Sequence, residues 1–152
     1  MQLSTMLTAE TVRAQIRVAS WEEASRAAGN LLVAAGSAEP RYVDAMMDVL
    51  REMGPYAVIA PGIVLLHARR EDGVRQPCLA LVTLATPVPF GHRENDPVDL
   101  VVALGAVDKH AHVAALQELA RLLGDEAALQ RIRAAENDRD LLLAVRPQES
   151  GI

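Results

Sequence analysis

Cysteine is nearly missing from this sequence. Its 152 residues contain a single one, Cys78, so no disulfide can form within the chain. The residue lies in the apolar stretch QPCLALVTL, which favours a small buried hydrophobe over a reactive thiol. An unpaired buried cysteine suits a reducing compartment, and we therefore expect a cytoplasmic protein.

Two further absences limit the partners. Lys and Arg number 15 against 20 Asp and Glu, and the net charge of -5 argues against nucleic acid or an anionic membrane as the main partner. The N-terminal stretch MQLSTMLTAE lacks the basic and apolar regions of a signal peptide. No window reaches the roughly 18 uncharged apolar residues that a membrane span needs. The sequence predicts a soluble protein that is not itself embedded in a membrane.

Aromatic residues are also scarce, since the chain has one Trp, one Phe and two Tyr. Hydrophobic residues nevertheless make up 51% of the composition, so the core has to be built from Leu, Val, Ala, Ile and Met. A chain of this length can bury such a core without metal or disulfide cross-links. We expect one folded domain.

Two helices are predicted in the first third of the chain. Ser20 and Glu23 have the spacing of a capping box before an apolar stripe, which predicts a helix over residues 21–35. Pro40 suits the first turn of a second helix, and Gly54 ends it. Both helices have one apolar face to bury.

Helical periodicity returns near the C-terminus. A long helix is predicted from Asp108 to Gly124, with its apolar residues on one side. The stretches DEAALQRIRAA and DRDLLLAV follow as shorter helices, each opened by an Asp that suits an N-cap.

The middle of the chain has the short apolar runs of buried strands. A short helix over residues 8–17 is expected to precede them, with IRVA after it as a first edge strand. EDGVR is predicted to be a hairpin turn, and PVPFGHRENDP a longer exposed loop. Strands that are apolar on both faces need helices above and below, which predicts an α/β fold. The four runs are AVIA, GIVLLHA, CLALVTLA and DLVVALGAV.

Several common catalytic motifs are missing. The sequence has no G-x-S-x-G elbow, no G-x-x-x-x-G-K-[ST] loop and no G-x-G-x-x-G turn. The closest histidine pair, His110 and His112, has no Cys or carboxylate-rich partner motif, so neither a metal nor a cofactor is expected. Histidine itself remains as the reactive group.

His67 ends an apolar run and is the strongest candidate. A neutral imidazole can take a phosphoryl group on one ring nitrogen, and Arg69 beside it could neutralise the phosphate. His112 lies in the first turn of a predicted helix, where unpaired N–H groups favour an anion. Taken alone, a histidine at a strand end is more often a hydrogen-bonded structural residue. For His112 the alternative is a solvated residue at a helix start, and His92 and His110 are interpreted as residues without a chemical role.

Four stretches follow one another in a characteristic order. They are EPRYVDAMMDVLREMGPYAVIAPGIVLLHAR, EDGV, FGHRENDPVDLVVALGAVD and HAHVAALQELARLL. Together they resemble the type 2 enzyme IIA domains of the bacterial sugar phosphotransferase system (PTS), in the mannitol and fructose class. The resemblance is greatest to the ascorbate-type branch. It extends from about Trp21 to Leu143 without a large gap.

The resemblance implies a fold and a domain boundary. The type 2 enzyme IIA fold is a single α/β domain, with a mixed β-sheet of about five strands sandwiched between α-helices. The domain is expected to cover residues 1–147, with residues 148–152 as a disordered tail.

The resemblance also implies a cytoplasmic phosphocarrier. His67 would accept a phosphoryl group from the histidine-containing phosphocarrier protein and pass it to a cysteine of enzyme IIB, and so to a sugar carried by the membrane enzyme IIC. By position His112 is a second histidine that supports the phosphate, and Arg51 matches an arginine near the site less closely. Neither cofactor nor metal is implied. The family usually has proline before the phosphorylated histidine, where this chain has Leu66.

Two other interpretations stay open at this point. The domain could be a regulatory protein in which phosphorylation of His67 only switches the binding of a transcription factor or transporter. It could also be a structural domain without chemistry, in which neither histidine affects more than stability.

Overall fold

The structure is a computed structural model and describes residues 6–145. The predicted tail at residues 148–152 lies outside the described residues. The described chain contains five strands and five helices. The strands are β1 (Val12–Ile16), β2 (Val58–Ala60), β3 (Ile63–Leu66), β4 (Cys78–Val88) and β5 (Val98–Gly105). The helices are α1 (Trp21–Ala34), α2 (Pro40–Met53), α3 (Lys109–Leu123), α4 (Glu126–Ala134) and α5 (Asp138–Val145).

The strands form one mixed sheet, in the order β1-β4-β5-β3-β2. β1 is parallel to β4 and β3 is parallel to β5, whereas β4–β5 and β2–β3 are antiparallel. The α/β prediction with a mixed sheet of about five strands is therefore confirmed. Because β3 and β5 are parallel neighbours, their carboxyl ends meet at one edge of the sheet.

Each face of the sheet is covered by its own helices, which makes two apolar layers. Alternate strand residues point to opposite faces, so Leu66 and Ala103 pack with α1 and α2, while Leu65 and Leu104 pack with residues of α3, α4 and α5. Tyr42 of α2 is the bulkiest of the fully buried side chains. The single Cys78 is buried in the first layer, as expected, and burial raises its pKa to about 11.

Polar side chains fix the start of α1. The Ser20 hydroxyl accepts a bond of 3.2 Å from the Glu23 amide, and the Glu23 carboxylate accepts one of 2.6 Å from the Ala19 amide. The reciprocal bond of the predicted capping box thus reaches one residue further back than Ser20.

Within residues 6–145, none of the helices combines the length and the apolar character needed to cross a membrane.

The last two helices begin at different cap types. Asp125 accepts from the amides of the next turn, as predicted. The predicted cap of the final helix is wrong by one residue, because the side chain of Asn137 accepts from the Asp140 amide at 2.8 Å and Asp138 is already helical. Asn and Asp are both good caps, so local geometry decides between them.

The helix predicted over residues 8–17 is wrong. Thr8 to Thr11 form a turn, and β1 follows it at Val12. The Leu81 amide of β4 donates to the Thr11 carbonyl at 2.9 Å, and Val12 pairs with Leu81. The buried strand β4 needs backbone partners on this side, and that requirement outweighs a weak helical pattern.

The hairpin predicted at EDGVR is also wrong. β5 lies between β3 and β4 in the sheet, so the chain must cross over rather than turn back. The segment contains a short 3-10 helix, Arg70–Asp72, followed by Gly73 at φ 132°. The hairpins of the described sheet are instead β2–β3, which Pro61 and Gly62 connect, and β4–β5, which the loop PVPFGHRENDP connects.

Candidate active site

The structure brings His67 and His112 together. His67 directly follows the last residue of β3, and α3, which carries His112, begins four residues after β5 ends. The parallel pairing of β3 with β5 places both segments at the same edge of the sheet. The ring centroids are 5.5 Å apart, and the rings are tilted by 50°. The sequence predicted both residues, although they are far apart along the chain.

His112 is held by the start of its helix. The Asp108 side chain accepts a bond of 2.7 Å from the Ala111 amide, and the Asp108 carbonyl accepts one of 3.0 Å from the His112 amide. The half-buried His112 ring therefore belongs to a capped first turn. Such a turn is electrostatically favourable for an anion, because its remaining amides and the helix dipole are positive.

His67 is exposed to solvent, yet its pKa lies below the ordinary histidine value. The main cause is partial desolvation by the surrounding protein, and the second is the proximity of His112. A hydrogen bond with the backbone of Leu65 acts in the opposite direction. The neutral imidazole, which is the nucleophilic form, is therefore favoured at neutral pH.

An apolar hollow lies beside His67, between the end of α2 and β3. It has a volume of about 160 Å³. Two side chains of its rim are strongly exposed, Met53 at 59% and Tyr56 at 81%. Other lining residues include Met46, Val49, Leu50, Ala57, Leu65, Leu66 and His67 itself. The hollow and its rim present an apolar surface next to a reactive ring.

A wider, polar cleft of about 490 Å³ lies on the His112 side. Arg69 lines it together with Arg70, Lys109 and His112, and the acidic Glu71 and Asp108 line it as well. The predicted Arg69 is thus placed near the second histidine. The predicted Arg51 bonds Asp48 at 3.3 Å on the exposed side of α2 and is not among the residues that line the cleft or the hollow. Its role stays a prediction.

Tyr42 is part of this site in a way that the sequence pattern did not indicate. Its hydroxyl donates to the Leu104 carbonyl at 2.6 Å and accepts from the Ala68 amide at 3.0 Å. Burial raises the pKa of the phenol to about 12. A buried tyrosine hydroxyl needs a hydrogen-bond partner. This general requirement was the one indication in the sequence that the Tyr42 hydroxyl would make a structural bond.

His92 lies in the loop at the opposite end of β5. Its Nδ1 accepts from the amides of Glu94 and Asn95, at 3.2 and 3.0 Å. The ring thus has the structural role expected of it. Among residues 6–145, no group of three or more His, Cys, Asp or Glu side chains is placed to hold a metal ion.

The comparison with protein families connects this geometry to a known group. The family described as "Phosphoenolpyruvate-dependent sugar phosphotransferase system, EIIA 2" matches residues 5–146. The chain belongs to this family. Its members are phosphotransferases that carry a phosphoryl group on a histidine, and the suspected type 2 enzyme IIA resemblance is confirmed.

Individual EIIA proteins agree with this assignment. The "Ascorbate-specific PTS system EIIA component" of Salmonella typhi is 41% identical over 133 residues, which are 87% of this chain and 86% of that protein. The mannitol-specific cryptic enzyme IIA CmtB of Escherichia coli has a TM-score of 0.84 at 27% identity, over 95% of this chain and 98% of its own.

A third EIIA structure contains a partner. The complex of enzyme IIAMTL with phosphorylated enzyme IIBMTL from Escherichia coli matches with a TM-score of 0.78 at 28% identity. The match covers 91% of this chain and 96% of that one. An EIIA of this fold therefore pairs with an EIIB protein.

Leu66 is the residue at which this EIIA chain differs from the family pattern, which usually has proline before the histidine. It is the last residue of β3 and only 1% exposed. Its side chain packs in the layer under α2 and also lines the hollow beside His67. A leucine here supplies apolar contacts that a proline ring would supply only in part.

Proposed function

We propose that this protein is the EIIA component of an ascorbate-type sugar phosphotransferase system and that His67 is its phosphoryl acceptor. The observation that carries the proposal is the exposed His67 ring, 5.5 Å from the ring of His112 at the end of two parallel core strands. The ascorbate assignment is supported by the 41% identity to the Salmonella typhi protein. The lone buried Cys78 supports a cytoplasmic location.

Two transfers make up the proposed reaction. A ring nitrogen of His67 attacks the phosphorus of the phosphorylated histidine-containing phosphocarrier protein, and the donor's N–P bond breaks as the new N–P bond forms. A thiolate sulfur of enzyme IIB then attacks the same phosphorus, and the His67 imidazole leaves. The sugar receives the group during its passage through the membrane enzyme IIC. Alignment and charge stabilisation are the main demands on the protein in such transfers.

The residues around His67 fit these demands in distinct ways. His112 and the first turn of α3 would bond the phosphoryl oxygens, and Arg69 in the adjoining cleft would neutralise part of their charge. Arg51 would contribute only if its side chain left Asp48. The apolar hollow with its exposed rim at Met53 and Tyr56 would contact enzyme IIB, because desolvated apolar contacts dominate such interfaces.

The test is reconstitution with phosphoenolpyruvate, enzyme I and the phosphocarrier protein. We expect a mass gain of one phosphoryl group that is labile in acid and stable in base. The variant His67→Gln should show no gain, whereas the matched control His110→Gln, at an exposed position of the first turn of α3, should be phosphorylated normally. A gain that survives in His67→Gln would refute the assignment.

A second step tests the carrier role. The phosphorylated protein should lose its label when an ascorbate-type enzyme IIB is added, and the label should appear on a IIB cysteine. Phosphorylation of His67 without onward transfer to any IIB protein would contradict the carrier proposal and favour a regulatory role.

A further inference from the structure

Tyr42 connects the two segments that carry the active-site histidines. It lies in the middle of α2, and its side chain is fully buried against the sheet. The hydroxyl accepts from the amide of Ala68, the residue directly after His67, and donates to the carbonyl of Leu104 near the end of β5. One side chain thus bridges two backbone positions that are not in register with each other.

The Tyr42 hydroxyl lies just beyond the last direct pair of β3 and β5. The register of β3 with β5 runs from Ile63 opposite Leu100 to Leu66 opposite Ala103 and ends there. Beyond this register the two segments diverge. The segment after β3 turns toward Arg70, and the segment after β5 continues to α3. The phenol oxygen therefore substitutes for the next bond between the strands and keeps the part-buried Ala68 amide and the buried Leu104 carbonyl paired.

The two bridged segments lead directly to the two rings. Ala68 is adjacent to His67, so fixing its amide fixes the backbone from which that ring projects. Leu104 precedes the short connection to Asp108, whose side chain begins the helix that carries His112. The spacing of 5.5 Å between the rings therefore depends on a bridge that belongs to neither segment.

We propose that Tyr42 is a positioning residue for phosphoryl transfer, because its hydroxyl sets the distance between His67 and His112. This inference rests on the proposed function of His67 but concerns a residue that touches neither phosphate nor partner. In Tyr42→Phe the aromatic ring still fills its place in the core, while the Ala68 amide and the Leu104 carbonyl lose their common partner. The segments can then shift relative to each other, and misplacement by less than an ångström is costly for group transfer.

The kinetic test compares Tyr42→Phe with Ser25→Ala. Ser25 is also a buried hydroxyl, 1% exposed, and donates to the Trp21 carbonyl at 2.8 Å within α1. We expect the rate constant for phosphorylation to fall on the order of 10- to 100-fold in Tyr42→Phe, with the KM for the phosphorylated donor nearly unchanged. Ser25→Ala should keep the rate constant of the unaltered protein. Equal rate constants in Tyr42→Phe and the unaltered protein would overturn the proposal.

A second measurement needs no phosphorylation. NMR titration gives the pKa of His67, which the proximity of His112 lowers, so His112→Gln should raise it. This rise should be smaller when His112→Gln is combined with Tyr42→Phe and unchanged when it is combined with Ser25→Ala. An undiminished rise in the Tyr42→Phe background would refute a positioning role. If the unaltered protein accepts no phosphoryl group, the proposed function is refuted. The effect of Tyr42→Phe on the rise in the His67 pKa still tests the positioning role of Tyr42.

A third measurement covers the case in which Tyr42→Phe does not fold. In the unaltered protein the Ala68 amide should exchange with solvent deuterium slowly, although it lies beyond the last residue of β3, because its partner is a fully buried phenol. Exchange at the rate of an unstructured peptide would show that the bridge does not hold the segment.

Discussion

The two ends of the parallel pair β3 and β5 are built differently. At the amino end, Gly62 donates to the Asn95 carbonyl, and its own carbonyl accepts from the amides of Asp99 and Leu100. Arg133 adds bonds to the Asp99 carboxylate and to the Pro61 carbonyl. At the carboxyl end the strands diverge, and the bridge between them is a single phenol oxygen. One end is cross-linked through many groups, whereas the other is left open.

A histidine is present at each end of the pair. The hydrogen bonds of its ring determine whether it is available for chemistry. His92, in the loop at the amino end, uses Nδ1 to accept two backbone amides. His67 at the carboxyl end is exposed beside a second imidazole. A ring nitrogen that already accepts backbone donors is not free as a nucleophile, so the same residue type is structural at one end and chemically available at the other.

The largest effect is expected at the open end. The variant His112→Gln should lower the rate constant for phosphorylation of His67 by roughly 10- to 100-fold, because the developing phosphate loses a donor beside it. His110→Gln, two residues earlier in the same helix turn and exposed, is the matched control and should change the rate little. Rapid-quench phosphorylation assays check both variants. Equal rates in all three proteins would mean that proximity to His67 gives His112 no role.

A smaller effect, on stability alone, is expected at the closed end. Gly62 has φ +75°, and a Cβ atom there would lie 2.8 Å from both Arg133 Nη2 and Asp99 Oδ1. We expect Gly62→Ala to lower the free energy of unfolding by about 2 to 3 kcal/mol, from backbone strain and from displacement of the Arg133–Asp99 ion pair together. Gly91 has φ +97° with nothing within 4 Å of such a Cβ, so Gly91→Ala should cost only about 1 to 2 kcal/mol.

Urea unfolding measures both glycine variants, and the phosphorylation rate of the folded fraction should stay unchanged in each. Equal losses of stability would show that the contacts around Gly62 are not tightly packed. A slowed phosphorylation in folded Gly62→Ala would show that the two ends are coupled through β3.

The smallest effect is a pH dependence of stability. Because the pKa of His67 is lowered in the folded state, the unfolded chain binds more protons there in the range below about pH 6.5. This contribution is therefore close to zero above about pH 6.5, and it opposes folding increasingly as the pH falls from there through the folded pKa. Solvent around the exposed ring keeps the effect small.

Urea titrations of the unaltered protein and His67→Gln between about pH 7.5 and 5 isolate this contribution. Their difference in unfolding free energy should change with pH in the direction that makes the unaltered protein relatively less stable in acid. A difference that is constant over this range would contradict the lowered pKa of His67.

The sequence was a good guide to helices that have local caps and a clear apolar stripe. The helix predicted over residues 21–35 is observed as Trp21–Ala34, and the one beginning at Pro40 ends where Gly54 predicted. The errors at residues 8–17 and at EDGVR have a common cause, since both segments are decided by which strands are neighbours in the sheet. Pairing of distant strands leaves no local pattern.

The candidate site divides in the same way. His67 and His112 could be predicted because a strand end and a helix start both have local patterns. Tyr42 could be placed on a buried helix face, but its hydroxyl bonds backbone atoms that are 26 and 62 residues away along the chain. Backbone groups are the same at every position, so no residue pattern identifies them as partners.

The hollow beside His67 has two methionines in its lining, Met46 and Met53. A thioether side chain is unbranched and has three rotatable bonds, so it adapts its shape more readily than Val, Ile or Leu. In the proposed reaction the protein meets two partners in turn, a phosphoryl donor and an enzyme IIB. The exposed Met53 side chain would let this one small surface adjust to each partner, and two separate docking sites would then be unnecessary.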